Sequence, residues 1–127
     1  MNDEEFENVV LEQHEQSLSV LCAKAKEYSK DGDRFHNFKI AGRKRGVQPH
    51  DALDGMRIKH VVSIEDMWDN IDTHKALPTG EMIDEKFGDV INYYLLEKGM
   101  MLETCRAALV HTLTTSRYGG GHDQSNA

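Results

Sequence analysis

Two cysteines, Cys22 and Cys105, are far apart and not in a CxxC pattern, so neither a disulfide framework nor a thiolate zinc site is signalled. The ordinary place for such thiols is the apolar interior. There are no repeats, and no alternating apolar–polar stretch of convincing length from which to build strands. No apolar run approaches the roughly 18 residues that span a bilayer, and the opening MNDEEFENVV is acidic where a secretory leader is basic and then apolar. The expectation is a cytoplasmic protein with no membrane role. Basic residues are also in deficit. Fifteen Lys and Arg against 22 Asp and Glu leave a formal charge of −7, which argues against a partner that is a nucleic-acid polymer or an anionic lipid surface. A phosphate ligand would have to be met by a local basic patch or by a metal.

What is there is helical periodicity. At 127 residues the chain fits one domain with a modest core. Residues 3–28 carry Phe6, Val9, Val10, Leu18, Leu21, Cys22 and Ala25 near a helical period, with Asn2 or Asp3 as cap. Glu12 and Glu15 stand three apart there, which reads as a charged face more readily than as a cation pair. The cluster Ser29-Lys30-Asp31-Gly32-Asp33 ends this helix. Residues 34–46 then gather Arg34, Lys39, Arg43, Lys44 and Arg45 around Phe35 and Phe38. That pattern suits a short helix or turn that docks its aromatics inward. Its cations serve either as a solvated balance to the acidity or as a phosphate clamp. A second long helix is expected over 51–71, capped by Asp51, with Leu53, Met56, Val61, Ile64, Met67 and Trp68 as its stripe. His60 projects from that stripe, more simply as a satisfied core histidine than as a ligand. A loop over 70–80 precedes a third long helix, and Met101 to Leu113 continue its pattern either beyond Gly99 or as a separate helix. The ending 116–127, with three consecutive glycines, is expected to be a flexible tail on a single helical domain of residues 1–115. The fold class is all-α, a small bundle of about four helices.

The third helix holds the main puzzle. Glu85, Asp89 and Asn92 form one polar stripe, yet Tyr93 and Leu96 lie on or near it, so the helix is apolar almost all round in its second half. That predicts burial on two sides, where a carboxylate needs a cation or a partner. Helices joined by about ten residues lie antiparallel, which brings Glu65, Asp66 and Asp69 level with Glu81, Asp84, Glu85 and Asp89. Oxygen donors without sulfur favour Mg²⁺ or Mn²⁺, ions that bridge phosphate oxygens.

The order Glu65-Asp66-x-x-Asp69, a loop, then Glu85-Lys86-Phe87-Gly88-Asp89-Val90-Ile91-Asn92-Tyr93 resembles the all-α nucleotide pyrophosphohydrolases, the MazG-like superfamily, which show EExxE and then ExxD on successive helices. The runs Asp33 to Lys39 and Lys59 to Asp66 are similar to phage-encoded relatives of that group. The resemblance spans about residues 10 to 105. It implies a metal-dependent enzyme that cleaves a nucleoside triphosphate to the monophosphate and pyrophosphate, working as a homodimer or homotetramer, in the host cytoplasm if phage-encoded. By position it implies Glu65, Asp66 and Asp69 as the first acidic motif and Asp89 as the last acid of the second; Glu85, one residue before the motif's other acid, can reach the same face, so the expected ligands of Mg²⁺ or Mn²⁺ are Asp66, Asp69, Glu85 and Asp89, with Asp66 and Glu85 catalytic. Arg34, Lys39 and Lys59 would contact phosphates, and Asn37 or His60 would read base or sugar. One departure stands out: Lys86, three before Asp89, occupies a position where the motif has an acid. A non-catalytic nucleotide-binding protein and a helical oligomeric interaction protein are the alternatives on the same bundle.

Overall fold

In the computed structural model, which describes residues 1–23 and 29–119, the chain is all-α. The described helices are α1 (Asp3–Ala23), α2 (His36–Arg45), α3 (Pro49–His74) and α4 (Gly80–Gly119). None of them is long and apolar enough to cross a membrane.

Local chemistry sets their ends. Asn2 caps α1: its side-chain oxygen accepts the Glu5 N–H at 2.9 Å, and Glu5 accepts the Asn2 N–H at 2.7 Å, a reciprocal pair at the helix start. The first helix was expected to reach Tyr28, but the part after Ala23 lies outside the described residues. A tight turn at Asp31 and Gly32, both at positive φ, leads to Asp33. The Asp33 carboxylate accepts the Phe35 N–H at 3.0 Å and so starts α2, which Gly46 ends in the left-handed region at φ 68°. Helix α3 begins two residues earlier than expected. Pro49 takes its first position, where a missing N–H costs nothing, and Asp51 accepts the Gln48 N–H at 3.2 Å instead of serving as the cap. Thr79 caps α4 through the Met82 N–H at 3.1 Å.

Helix α4 is one continuous helix of 40 residues, passing through Gly99 and including residues 116–119 of the expected tail; the rest of that tail lies outside the described residues. Gly99 does not break the helix. A Cβ there would lie 2.8 Å from the tip of the Phe35 ring, so the bare backbone forms the wall against which that ring packs. Phe35, Leu53 and Met100 make the buried core, joined by partly buried Phe38, Tyr93 and Leu96. Thus α2 docks its aromatics inward, and Arg43, Lys44 and Arg45 stay exposed.

Helices α3 and α4 run antiparallel, and a buried ion cluster sets their register. Arg57, 7 % exposed, donates to Glu97 at 2.5 Å and Asp54 at 2.6 Å while lying over the Tyr94 ring at 4.1 Å. Burial opposes its charge, but the hydrogen bonds to Glu97 and then Asp54 outweigh that and hold the guanidinium more firmly protonated than usual. Helix α1 packs on the other flank of α4, where Gln13 lies beside Gly88 and donates to buried Ser17 at 2.9 Å. Helix α4 is thus flanked by α1 as well as α3 around Gly88, but the two-sided burial expected of its second half is not met, since Tyr94, Leu95, Met101 and Leu102 are exposed.

Two further expectations of burial are not met. Cys22 and Cys105 are exposed, not interior, because each lies on a helix face that none of the described residues covers. On α1 the apolar residues Phe6, Val9, Val10 and Leu18 are likewise exposed, as is Trp68 on α3.

Candidate functional site

Two cavities meet along α4. The first, about 330 Å³, lies between α1, α2, α3 and α4, with Phe38, Tyr93, Leu96, Leu21 and Met56 as an apolar and aromatic lining and Arg34, Asn37, Asp89 and Asn92 as polar groups. The second, about 620 Å³, is the groove between α1 and α4, lined by Glu15, Glu81, Asp84, Glu85 and Asp89 with Gln13, Gln16, Ser19 and Asn92. Asp89, Asn92 and Val20 belong to both. Flat, aromatic walls with a few polar groups are what an organic ring system occupies, whereas a groove lined by carboxylates attracts cations.

Asp89 meets His60 on its far side. The imidazole Nδ1 lies 3.2 Å from Asp89 Oδ2, and the ring sits in a tilted stack against Tyr93 with centroids 5.4 Å apart. This close contact crosses from α3 to α4 beside the junction of the cavities and gives the semi-buried His60 a carboxylate neighbour. His60 itself lines neither cavity. Three residues on, Asn92 presents the opposite situation: its Oδ1 is buried and has no hydrogen-bond partner. A buried acceptor left unmatched costs about 1–3 kcal/mol, so its presence at this junction calls for a reason.

The other expected site residues are placed as follows. Arg34 lines the first cavity and donates to the Leu21 carbonyl at 3.4 Å, and Asn37 lies beside it. Lys39 is engaged elsewhere, donating to Glu103 at 2.8 Å and Asp33 at 3.0 Å. Hydrogen bonding to Glu103 first and Asp33 second raises the Lys39 ammonium above its ordinary range. The Lys39 bond and the Phe35 N–H lower the Asp33 carboxyl. Lys59 is exposed, lines neither cavity, and offers its carbonyl to the Ser63 hydroxyl at 2.9 Å. Glu85 lines the acidic groove with its carboxylate open to water and Lys86 3.4 Å away.

Asp66 and Asp69 are not brought to either cavity. The antiparallel arrangement does put this part of α3 level with the start of α4. At about 100° per residue, however, Asp66 points roughly 120° and Asp69 roughly 180° around α3 from His60, the side that faces Asp89. Both are exposed, and Asp69 accepts the Thr73 hydroxyl at 3.1 Å. Among the described residues no three His, Cys, Asp or Glu side chains gather closely enough to hold a metal ion. The groove has the hard oxygen donors that Mg²⁺ or Mn²⁺ prefers, but a single chain spreads them along α1 and α4 without assembling a site.

Sequence reasoning passed over several of these groups. Glu15 reads as part of a charged face until α1 is laid on α4. Arg57 has only Asp54, three residues before it, as a local signal, since its buried-side partner Glu97 is forty residues away. No family model, no curated protein and no solved structure matches this chain.

Proposed function

We propose that this protein is a nucleotide-binding helical protein whose activity is hydrolysis of a nucleoside triphosphate to the monophosphate and pyrophosphate, in the manner of the MazG-like superfamily that its acidic motifs resemble. The observation that carries the reading is the junction at Asp89 and Asn92, where an aromatic cavity opens beside a carboxylate groove. A nucleotide has the same two parts, a flat base and a polyanionic chain. The base and sugar would lie against Phe38 and Tyr93 within reach of Asn37 and Asn92, with the Arg34 guanidinium turned to the phosphates. A chain of phosphates cannot lie along five carboxylates unaided, and Mg²⁺ or Mn²⁺ is the cation whose chemistry would neutralise both. Glu85 and Asp89 are the ligands the groove offers; Asp66 and Asp69 would need a partner or a rearrangement to join them. A homodimer or homotetramer belongs to the same proposal for that reason. Lys39 and Lys59 are not carried forward as phosphate contacts, since one is committed to Asp33 and Glu103 and the other lies away from both cavities.

The test is product analysis with a panel of ribo- and deoxynucleoside triphosphates in Mg²⁺ or Mn²⁺. Pyrophosphate release from at least one, abolished by Asp89→Asn with helix content intact, is the expected result. No pyrophosphate from any of them would sink the enzyme reading. A second reading, a nucleotide binder without turnover, draws on Lys86 in the second acidic motif and on the dispersed carboxylates. Calorimetric binding of a triphosphate without product would select it. If Mn²⁺ neither binds nor raises Tm, and no nucleotide binds, the remaining alternative is a helical interaction protein.

A further inference from the structure

Helix α1 is attached to the bundle by a narrow strip. Gln13, Ser17 and Leu21 stand four residues apart on one line of the helix; Ser17 is buried, Gln13 and Leu21 are half-buried, and every other residue of α1 is exposed. The 2.9 Å bond from Gln13 to Ser17 lies within α1 and adds nothing across the contact with α4. Arg34 ties the end of the helix through the Leu21 carbonyl at 3.4 Å, longer than such bonds usually are. Phe6, Val9, Val10 and Leu18 stay exposed while α1 is docked, so undocking brings little new apolar surface into water. The core of Phe35, Leu53 and Met100 and the Arg57–Glu97 clamp belong to the rest of the chain and use no residue of α1.

Charge opposes the contact as well. Residues 3–23 hold Asp3, Glu4, Glu5, Glu7, Glu12 and Glu15 and no Lys or Arg, and this helix lies beside the acidic start of α4. In the groove between them Glu15 lines the same space as Glu81, Asp84, Glu85 and Asp89. Lys86 stands near Glu85 and His60 near Asp89, while among the described residues Glu15, Glu81 and Asp84 make no ion pair. Like charges along a shared cleft raise the free energy of the docked state, most of all at low salt, where the screening length reaches about 30 Å at 0.01 M. Yet α1 is a wall of both cavities. It gives Val20 and Leu21 to the first, and Gln13, Glu15, Gln16, Ser19 and Val20 to the second.

We infer that α1 is a gate: it undocks from α4 while α2, α3 and α4 stay folded, opens both cavities along their length, and is held partly open by repulsion among the groove carboxylates. An element with few buried apolar contacts opens locally at a fraction of the free energy of global unfolding. Cations that screen the groove favour the docked state. The opening is a property of the chain without ligand, so it does not rest on the nucleotide reading, and failure of either leaves the other standing.

Thiol labelling tests it. Ser17 is the buried residue of α1, 5 % exposed, so in Ser17→Cys combined with Cys22→Ser and Cys105→Ser the thiol meets N-ethylmaleimide, a neutral reagent, when α1 leaves α4. Hydrogen exchange of the α3 amides around Leu53, measured at each salt concentration, supplies the reference for global opening. Labelling is expected roughly 100-fold or more faster than global opening allows, and, relative to that reference, about 5-fold or more slower in 0.5 M than in 0.01 M NaCl. Should the triple variant fail to fold, exchange on the native chain gives the same reading, because an undocked α1 is a marginal helix: its amides should exchange roughly 100-fold faster than those around Leu53 and gain protection with salt. Labelling or exchange of α1 that is no faster than global opening overturns the inference. So does a rate that salt leaves unchanged relative to α3.

Discussion

Gly99→Ala is the sharpest test of how this core is built. At an ordinary exposed position within a helix, alanine stabilises relative to glycine by about 1 kcal/mol, because the backbone loses less entropy on folding. Here the new Cβ would stand 2.8 Å from Phe35 Cζ and 3.6 and 3.8 Å from the two ε carbons, when ordinary contact begins near 3.4 Å. The ring must retreat by about 0.6 Å. It is 9 % exposed and packed against Leu53 and Met100, so the retreat displaces other buried groups. Overpacking of this kind costs about 1–3 kcal/mol, which exceeds the propensity gain and leaves a net loss of about 1 kcal/mol. Phe35→Leu removes the three ring atoms that meet the new methyl. In that background Gly99→Ala should change sign and stabilise by about 1 kcal/mol, a coupling of about 2 kcal/mol in a double-mutant cycle read by urea denaturation. If Gly99→Ala stabilises the native chain, or shifts both backgrounds equally, then Phe35 does not rest on the glycine and the account of α4 as an unbroken helix with a socket is mistaken.

Other consequences are as direct. Glu97→Ala should cost about 2 kcal/mol or more in urea denaturation, since Arg57 is buried and keeps only the exposed Asp54, whereas Asp54→Ala should cost under about 1 kcal/mol. Equal effects would refute the buried clamp. The Asp33–Lys39–Glu103 cluster should give a defined pH window: the lowered Asp33 carboxyl contributes stability above its ordinary 3.8 that is lost as pH falls through the folded value, and the raised Lys39 contributes below its ordinary 10.5 and loses it as pH rises through the folded value. Lys39→Met should therefore be least stable relative to the native chain between about pH 4 and 10, with the difference shrinking on the acid side; a difference that does not change with pH would contradict the pairing. Asn92→Leu, with the same number of side-chain heavy atoms and the adjoining cavity to take its extra bulk, should leave stability unchanged or raise it by about 1 kcal/mol by removing an unmatched acceptor, while weakening nucleotide binding measured by calorimetry. A large loss of stability would show that the amide is matched in the folded chain.

Local chemistry was sufficient for much of this molecule. Helical periodicity, the Asn2 cap, the turn before α2 and the inward Phe35 and Phe38 all depend on residues within a few positions of each other, and each was legible in the sequence. So was the antiparallel pairing of α3 and α4, because a short loop permits little else. Rotation about the helix axes was not legible. Asp66 and Asp69 are level with the first turns of α4, as their place in the chain requires, yet they turn away from Asp89 because Leu53, Arg57, His60 and Met67 claim the facing side of α3. The function of Gly99 was hidden for the same reason, since glycine signals flexibility locally and only the arrival of Phe35, sixty-four residues earlier in the chain, makes it a socket. Sequence by itself determined which segments are helical and left open whether residues 80–119 form one helix or two. The tertiary structure decided which sides of them meet, because a helix presents its residues in every direction and only the partner that packs against it selects among them.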